Sequence, residues 1–354
     1  MTKREGLKDQ AIRFGHWHSI KAAEAAPTGD FELIGVSNHL MEERRSGQIP
    51  ELGVAELTQT RIIGSNCWPL TAEGRLLPES TWFGPYPDRM RLPEHLLEPK
   101  NISRTCVSLM SDHASGNFSH FLLDALPRIH LLEEAGIDWR SADTILAPKP
   151  NLNQISEFMQ ILNIDQSKIL YLEPNDVIHP STLIITSFPG WKRTYPSWAP
   201  RFLQERFGTN DSQTKHKSEN SRIYISRSGY SRNAKNENEL RKLIDRYGFE
   251  VIEPHAEISV STMENTHIVL AAHGAGLANA AFARPGTTVI ELVPSDHQFP
   301  HYYNLSMAAG LRYRGLCCPS TEVRDPREWG PSKVDFTVDI EALETMLETL
   351  PPGG

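Results

Sequence analysis

The second half of the chain carries the pattern that constrains its fold most, a regular alternation of strand-like and helix-like segments. The apolar run RIYIS precedes the amphipathic stretch NENELRKLIDRYG, and the strand-like run FEVIEP follows it. A further helical stretch, the run THIVLAA, a glycine turn and the run TTVIELVP complete the series. Strands separated by helices in this way pack side by side in a parallel sheet. The pattern therefore predicts an α/β unit over residues 222–335.

The first half of the chain has a different texture and predicts a second unit. Residues 1–110 alternate short apolar runs with turn residues, which is typical of irregular β-rich structure. Helix-like and β-branched segments then alternate in the βαβ manner. The 354 residues allow roughly two domains. We interpret 1–200 as an N-terminal α/β domain, the polar stretch 201–221 as a linker, 222–335 as a C-terminal domain, and 336–354 as an amphipathic helix with a tail.

Charge and cysteine content exclude several classes of protein. Lys and Arg number 36 against 44 Asp and Glu, a net charge of −8, so the chain has no bulk attraction to nucleic acid or to an acidic membrane. The 4 cysteines form no C-x-x-C pair, which disfavours a disulfide framework or a structural zinc site. No secretory signal and no run of about 18 apolar residues is present. We expect a cytoplasmic protein, with peripheral association with the inner face of the membrane left open.

The segment IVLAAHGAGLANAAF is the sharpest chemical feature of the sequence. His273 follows an apolar strand, and Gly274, Ala275 and Gly276 lead from it into a helix. A glycine turn at a helix N-terminus lets backbone N–H groups approach a phosphate. The dinucleotide fingerprint G-x-G-x-x-G is not completed, because Asn279 stands at the third glycine position. A tight turn without any ligand is the alternative.

Two further strand ends carry groups that suit a nucleotide. Glu291 follows in the next strand, and a carboxylate at the carboxyl end of a strand can accept hydrogen bonds from both ribose hydroxyls. Arg227 follows the strand RIYIS, and with Arg232 it offers guanidinium donors to a diphosphate. A solvated strand end for Glu291 and ordinary surface arginines are the alternatives.

In the first half, the segment NFSHFLLDALPR places an acid and a base on one helical face. His120 and Asp124 are four residues apart, so a carboxylate there can orient an imidazole that acts as a general base. Arg128 continues this face only if Pro127 leaves the turn intact, and we expect Pro127 to kink or split the helix. A partly buried histidine that only braces the helix is the alternative.

Three blocks occur in an order that resembles one enzyme family. They are GNFSHFLLDALPR at 116–128, RIYISRSGYSRNAKNENEL at 222–240 and HGAGLANAAFARPGTTVIELVP at 273–294. Together they resemble glycosyltransferase family 61, of the bacterial capsular or surface-polysaccharide type. The first block departs from the usual pattern, with Phe-Ser before His120 and Phe121 where Trp is common.

This resemblance implies a GT-B-like architecture, in which two Rossmann-like domains face a cleft. The N-terminal domain would hold the acceptor and the C-terminal domain the nucleotide sugar. It implies an inverting transfer from a nucleotide-diphosphate sugar, with a UDP-sugar as the default, to a glycan or glycolipid. The absence of an Asp-x-Asp motif agrees with a reaction that requires no metal and no other cofactor, in which cationic side chains and amides stabilise the leaving diphosphate.

The resemblance also implies a role for each candidate residue. The base is His120, with Asp124 as its orienting partner or as the base itself. The acceptor-side residues are His113, Asn117 and Arg128. The donor-side residues are Arg227, Arg232, His273, Gly274, Ala275, Gly276, Asn279 and Glu291. Among these, Arg227, Arg232 and the glycine turn would hold the diphosphate, Glu291 the ribose, and His273 a phosphate or sugar oxygen. Asn279 would fix the turn or touch the donor.

Two other functions stay open on the sequence. One is a non-catalytic module that binds a nucleotide or a glycan, since intact residues do not prove turnover. The other is a nucleotide-dependent oxidoreductase, which would need the missing third glycine and an acidic residue about 20 positions further on. The acceptor, the donor sugar and the oligomeric state cannot be deduced from these residues.

Overall fold

A computed structural model describes residues 3–208, 221–254, 256–322, 330 and 332–350. Up to residue 192, the elements are α1 (Leu7–Phe14), β1 (Gly15–Lys21), β2 (Glu24–Ala25), β3 (Phe31–Ile34), α2 (Asn38–Glu43), β4 (Gln48–Ile49), β5 (Leu52–Leu57), β6 (Thr60–Ile63), β7 (Trp68–Thr71), β8 (Lys100–Ser108), α3 (Phe118–His120), α4 (Pro127–Glu134), β9 (Thr144–Leu146), α5 (Asn153–Ile161), β10 (Ile169–Leu170) and β11 (Val177–Thr186). From residue 193 they are α6 (Trp198–Phe207), β12 (Ser221–Ile225), α7 (Glu237–Arg246), β13 (Phe249–Ile252), α8 (Val260–Glu264), β14 (Thr266–Ala272), β15 (Thr288–Pro294), α9 (His301–Ala308), β16 (Arg312–Cys318) and α10 (Ile340–Glu348). A 3-10 helix, Ala275–Phe282, follows β14.

The chain divides into two compact units whose borders differ from the predicted ones. The first unit is Met1–Ala26 with Gly47–Lys192, and the second is Pro27–Ser46 with Arg193–Gly354. The sequence gives no sign that 27–46 leaves the first unit. Part of the predicted linker is helical, because α6 extends to Phe207. The remainder of that linker, 209–220, lies outside the described residues.

The first unit is built on a mixed sheet of eight strands. The strand order is β1-β5-β11-β8-β9-β10, and β6 pairs with both β11 and β7. Strand β5 pairs antiparallel with β1 and β11, whereas β11, β8, β9 and β10 run parallel. The β-rich character predicted for the first hundred residues is confirmed. The short connection between β6 and β7 favours their antiparallel pairing, because a parallel pair needs a long crossover.

The second unit contains a six-stranded sheet in which every pair is parallel. Its order is β13-β12-β14-β15-β16-β3. The parallel sheet predicted from the strand and helix alternation is therefore confirmed. The chain runs outward in one direction from β12 to β13 and in the other from β14 to β16, so the order reverses between β12 and β14. Open α/β sheets bind their ligands outside the carboxyl ends of the strands at such a reversal.

Helix α10 completes the core of the second unit. Asp339 accepts a hydrogen bond from the Ala342 amide at 3.0 Å and caps the helix, as the predicted amphipathic stretch requires. Leu343, Met346 and Leu347 are buried in the same cluster as the inner residues of β12, β14 and β15. The C-terminal helix predicted from the sequence is confirmed, and it belongs to this unit rather than forming an appendage.

The cysteines and the helix lengths bear on two further expectations. All 4 cysteines are free, and burial raises the thiol pKa of each above its usual value. Within the described part of the chain, no helix combines the length and apolar character that crossing a bilayer would take.

The packing of α10 gives a first prediction. Leu343→Ala removes a fully buried side chain from the core of the second unit. We expect the free energy of unfolding to fall by about 2–5 kcal/mol. Glu341→Ala, at an exposed position of the same helix, should cost less than about 1 kcal/mol. Chemical denaturation of both variants checks this, and equal effects would contradict the buried packing of the helix.

Candidate functional site

Asn117 and Pro127 set the local structure of the first candidate segment. The Asn117 side-chain oxygen accepts a hydrogen bond from the Ser119 amide at 3.0 Å and caps α3. Pro127 has no N–H to donate, and a π turn over Phe121–Ala125 precedes α4, which begins at Pro127. The predicted split at Pro127 is confirmed. Asn117, expected on the acceptor side, uses its side-chain oxygen in the helix cap.

The same segment brings His120 and Asp124 into contact. The His120 Nδ1 and Asp124 Oδ2 atoms are 2.6 Å apart. The Asp124 carboxyl is buried, whereas the His120 side chain is 18% exposed. Burial raises the pKa of Asp124, and the hydrogen bond to His120 and the charge of Arg128 oppose that rise. Because the carboxyl holds Nδ1, the other ring nitrogen, Nε2, is the one that can exchange a proton with a substrate.

Arg128 does not reach a substrate, which corrects its expected acceptor-side role. Its side chain is fully buried. Its Nε donates to the Asp124 carbonyl at 3.2 Å, one terminal nitrogen to the Thr186 hydroxyl at 3.1 Å and the other to the Ser80 carbonyl at 2.6 Å. Burial lowers the pKa of Arg128 to about 10, so it stays charged at neutral pH. Arg128 therefore braces α4 against β11 and the turn at Ser80.

Two rings lie beside His120: that of Trp82, which the sequence analysis missed, and that of His113, which it named. The ring centroid of Trp82 is 5.8 Å from that of His120, and the ring centroid of His113 is 5.2 Å from it. His113 has a positive φ of 64°. The residue as a whole is exposed, although its ring packs against neighbouring rings. Desolvation among these rings and the charge of His120 lower the pKa of His113 to about 4, so it is neutral at pH 7. The run WFGPYP is the feature of the sequence that could have predicted this site, because it groups aromatic residues between prolines.

In the second unit, Arg227 and Gly274 meet where the strand order reverses. Arg227 follows β12 and Gly274 follows β14 by two residues. A Cβ atom on Gly274 would lie only 1.8 Å from the Arg227 Nη1 atom, so the guanidinium rests against bare backbone. Two of its nitrogens donate to the Ser231 carbonyl, at 3.2 and 2.9 Å. Glycine is needed here for this close approach.

The predicted helix after the glycine turn is present as the 3-10 helix Ala275–Phe282. Its first N–H groups have no intrahelical acceptor and suit an anion. The buried Asn279 donates its side-chain N–H to the Gly276 carbonyl at 2.9 Å and so fixes the turn. A Cβ atom on Gly276 would lie 3.1 Å from the Ile225 side chain, because the turn packs closely on β12.

Arg232 and Arg193 add positive charge beside His273. Arg232 donates to the His273 carbonyl at 3.2 Å and to the Ser332 carbonyl at 2.7 Å. Burial and the neighbouring Arg227 lower the pKa of Arg232 to about 10, so it remains a cation at neutral pH. Arg193, which the sequence analysis missed, is buried. Its positive charge, together with those of Arg227 and Arg232, lowers the pKa of His273. Three guanidinium groups thus raise the potential at this edge.

Glu291 is not available to a ribose, which corrects the predicted role. It lies within β15, three residues before the strand ends, and its side chain is 0% exposed. His273 Nδ1 is 2.5 Å from one carboxyl oxygen, and the Tyr313 hydroxyl donates to the other at 2.5 Å. Both oxygens are therefore occupied inside the protein. Nothing in the pattern TTVIELVP distinguished a strand end from a buried strand centre.

The protonation of this buried group sets what His273 offers to a ligand. Burial raises the pKa of Glu291 to about 8, against the opposing effects of Tyr313 and Arg232. Burial and the nearby arginines hold the pKa of His273 well below its usual range. Below pH 8 both groups are mostly neutral, and the carboxyl proton is donated to Nδ1. The His273 Nε2 atom then carries a hydrogen and can donate to an anionic oxygen.

Comparisons with known proteins show which sequences this chain is similar to. Residues 118–290 match the family model described as Glycosyltransferase 61. This part of the chain, just under half of it, is similar to the glycosyltransferase 61 family. It includes His120, Asp124, Arg227 and His273, while Glu291 lies one residue beyond it.

Part of the chain is also similar to a Beta-1,2-xylosyltransferase of Arabidopsis thaliana. It is 32% identical over 91 residues, which are 26% of this chain and 15% of that protein. The chain thus spans only a small part of the relative's length. This plant protein gives no support to the expectation of a bacterial capsular enzyme.

Within each unit, the structure places some of the predicted residues next to one another. In the first unit it brings His113, His120 and Asp124 together, and in the second it brings Arg227, Arg232, His273 and the glycine turn together. Among the described residues, no group of three or more His, Cys, Asp and Glu side chains could hold a metal ion.

The contact between Gly274 and Arg227 gives a prediction for ligand binding. Gly274→Ala should push the guanidinium aside with little loss of stability, since the clash falls on the far end of a flexible side chain. We expect the affinity for UDP to fall about tenfold or more, because a charge-assisted contact to the diphosphate is lost. Titration calorimetry measures it. Gly47→Ala, with open space around its new Cβ, is the control, and unchanged affinity in Gly274→Ala would remove Arg227 from the site.

The buried carboxyl gives a prediction for stability against pH. The folded-state pKa of Glu291 is about 8 against an ordinary 4.5, so the wild type loses this contribution to the free energy of unfolding as pH rises through that interval. Glutamine has no proton to lose. The free energy of unfolding of Glu291→Gln, taken as a difference from that of the wild type, should therefore rise by roughly 2–4 kcal/mol from pH 4.5 to pH 8. Urea denaturation at both pH values measures this difference, and a pH-independent difference would show that the pKa of Glu291 is not raised in the folded protein.

Proposed function

We propose that this chain is an inverting glycosyltransferase that moves a sugar from a nucleotide-diphosphate sugar, in the first instance a UDP-sugar, to a hydroxyl of a glycan or glycolipid. The observation that carries the proposal is the Arg227 guanidinium resting on Gly274 where the strand order reverses. Cations and free amides at that edge suit a diphosphate. The match to glycosyltransferase 61 and the xylosyltransferase relative support the same reaction class.

On the donor side, we assign the binding of the nucleotide sugar to the polar groups that the protein does not use internally. Arg227, Arg232 and the first N–H groups after His273 hold the diphosphate and stabilise the charge that develops as it leaves. The His273 Nε2 hydrogen is donated to a phosphate or sugar oxygen. These positive groups supply the stabilisation that a metal gives in other transferases. Glu291 contributes by orienting His273 rather than by binding the ribose.

On the acceptor side, the dyad of His120 and Asp124 supplies the base. The His120 Nε2 atom takes the proton of the acceptor hydroxyl, and the buried carboxylate stabilises the resulting imidazolium. The acceptor oxygen attacks the anomeric carbon as the bond from that carbon to the diphosphate breaks. The diphosphate leaves with the bonding electron pair, and a single displacement inverts the anomeric configuration.

Several finer expectations accompany the proposal. The GT-B arrangement, the cytoplasmic location, the peripheral membrane association and a role in surface-polysaccharide synthesis stay predictions. The printed name of the plant relative makes UDP-xylose the first donor to try beside UDP-glucose and UDP-N-acetylglucosamine.

The nucleotide supplies the first test. UDP or one of these UDP-sugars at millimolar concentration should raise the thermal unfolding midpoint, because a ligand that binds only the folded state stabilises it. Stabilisation by NADH alone would favour the oxidoreductase. Stabilisation by a UDP-sugar without transfer or hydrolysis would favour a binding module, and no shift with any nucleoside diphosphate would contradict the proposal.

The dyad supplies a second test and a prediction for turnover. His120→Ala and Asp124→Asn should lower sugar transfer by about 10²–10⁴-fold while the affinity for UDP stays within about twofold. His130→Ala is a matched control, because His130 also pairs with an acid four residues on, its Nε2 atom 3.0 Å from a Glu134 oxygen. Its turnover should stay near that of the wild type. UDP release and titration calorimetry give the two readouts, and normal turnover in both dyad variants would show that the base lies elsewhere.

A further inference from the structure

A tight loop in the first unit presents aromatic rings beside the dyad. It runs between two 3-10 turns, Pro78–Ser80 and Pro87–Arg89. Within it, the ring centroids of Trp82 and Tyr86 are 5.8 Å apart with their planes tilted by 39°. The Tyr86 amide donates to the Phe83 carbonyl at 2.7 Å, which closes the turn that carries these rings.

These rings lie at the surface of the first unit and are only partly covered by the protein. Trp82 and Tyr86 are only half-buried, and His113 beside them is exposed. The Trp82 ring meets the His120 ring edge-on, with an interplanar angle of 85°. A molecule bound at this face would contact these rings and the His120 imidazole together.

A buried carboxyl group holds Trp82 in this position. Asp112 is 1% exposed. One of its oxygens accepts from the Trp68 indole N–H at 2.6 Å, and the other accepts from the Trp82 amide at 2.8 Å. Burying a carboxyl group is costly unless its hydrogen bonds are satisfied. Here both bonds fix the backbone and the flank of the aromatic loop, so Asp112 is a positioning residue for Trp82.

We infer that Trp82 and Tyr86 form the acceptor subsite and that its occupant is a sugar ring, so that the attacking hydroxyl belongs to a sugar rather than to a peptide or a lipid. The inference rests on the proposed function. An aromatic face carries negative charge density and attracts the weakly positive C–H face of a sugar. The polar edges of His113 and His120 can meet the hydroxyl groups of the same ring. A lipid chain would leave those polar groups unpaired, which costs free energy.

The experiment compares Trp82→Ala, Trp82→Phe and Asp112→Asn with the wild type. The probes are methyl glycosides of xylose, mannose, glucose, galactose and N-acetylglucosamine, a serine- and threonine-containing peptide, and dodecanol. We expect at least one glycoside to stimulate UDP release. Its KM should rise about tenfold or more in Trp82→Ala and Asp112→Asn, and less than about threefold in Trp82→Phe. The affinity for UDP should not change.

Trp17→Ala is the matched control. Trp17 is also half-buried and lies in the first unit, on β1, and its loss should leave the KM of the glycoside unchanged. Stimulation by the peptide or by dodecanol but by no glycoside would overturn the inference. So would an unchanged KM in Trp82→Ala and Asp112→Asn.

Direct binding separates this inference from the proposed function. Saturation-transfer NMR detects the methyl glycosides on the wild-type protein whether or not any sugar is transferred. A signal that is lost in Trp82→Ala and kept in Trp17→Ala supports the subsite even if no nucleotide sugar turns over. If no glycoside binds the wild type, or if one binds Trp82→Ala equally well, the subsite is refuted even where UDP binding supports the transferase.

Discussion

The second unit depends on one buried group, the carboxyl of Glu291. It lies at the centre of an all-parallel sheet, on β15, and bonds to His273 at the end of β14 and to Tyr313 on β16. Two side-chain hydrogen bonds thus join residues of three neighbouring strands. Because each of these polar groups would be costly to bury alone, the three fix one another. These three residues also fix the position of the glycine turn, because the turn begins directly after His273.

Both units use a buried acid to hold an imidazole through Nδ1, and the difference in exposure separates their chemistry. His120 is partly open, so it can gain and release a proton in a reaction. His273 is buried among arginines, which disfavour its charged form, so it serves as a fixed neutral donor. The same pairing of residue types therefore gives a base in one unit and a hydrogen-bond donor in the other.

Local patterns predicted most of what lies around these groups. The strands before Arg227 and His273, the helix split at Pro127 and the contact between His120 and Asp124 all depend on residues near one another in sequence. Arg128 and Glu291 were assigned to ligands wrongly for a shared reason. Whether a charged side chain faces solvent depends on which distant segments cover it, and Thr186 and Tyr313 are not visible in the local pattern of either residue.

The sequence by itself determined the strand–turn–helix segments and the spacing of the dyad, because backbone sterics, periodicity and proline act over a few residues. Only the tertiary structure decided that β3 joins the second unit beside β16, that Asp112 anchors the Trp82 loop and that Glu291 is internal. Strand pairing and burial depend on packing against neighbours far along the chain. Residues 31–34 pair with 313–316, and no local pattern encodes a contact over that separation.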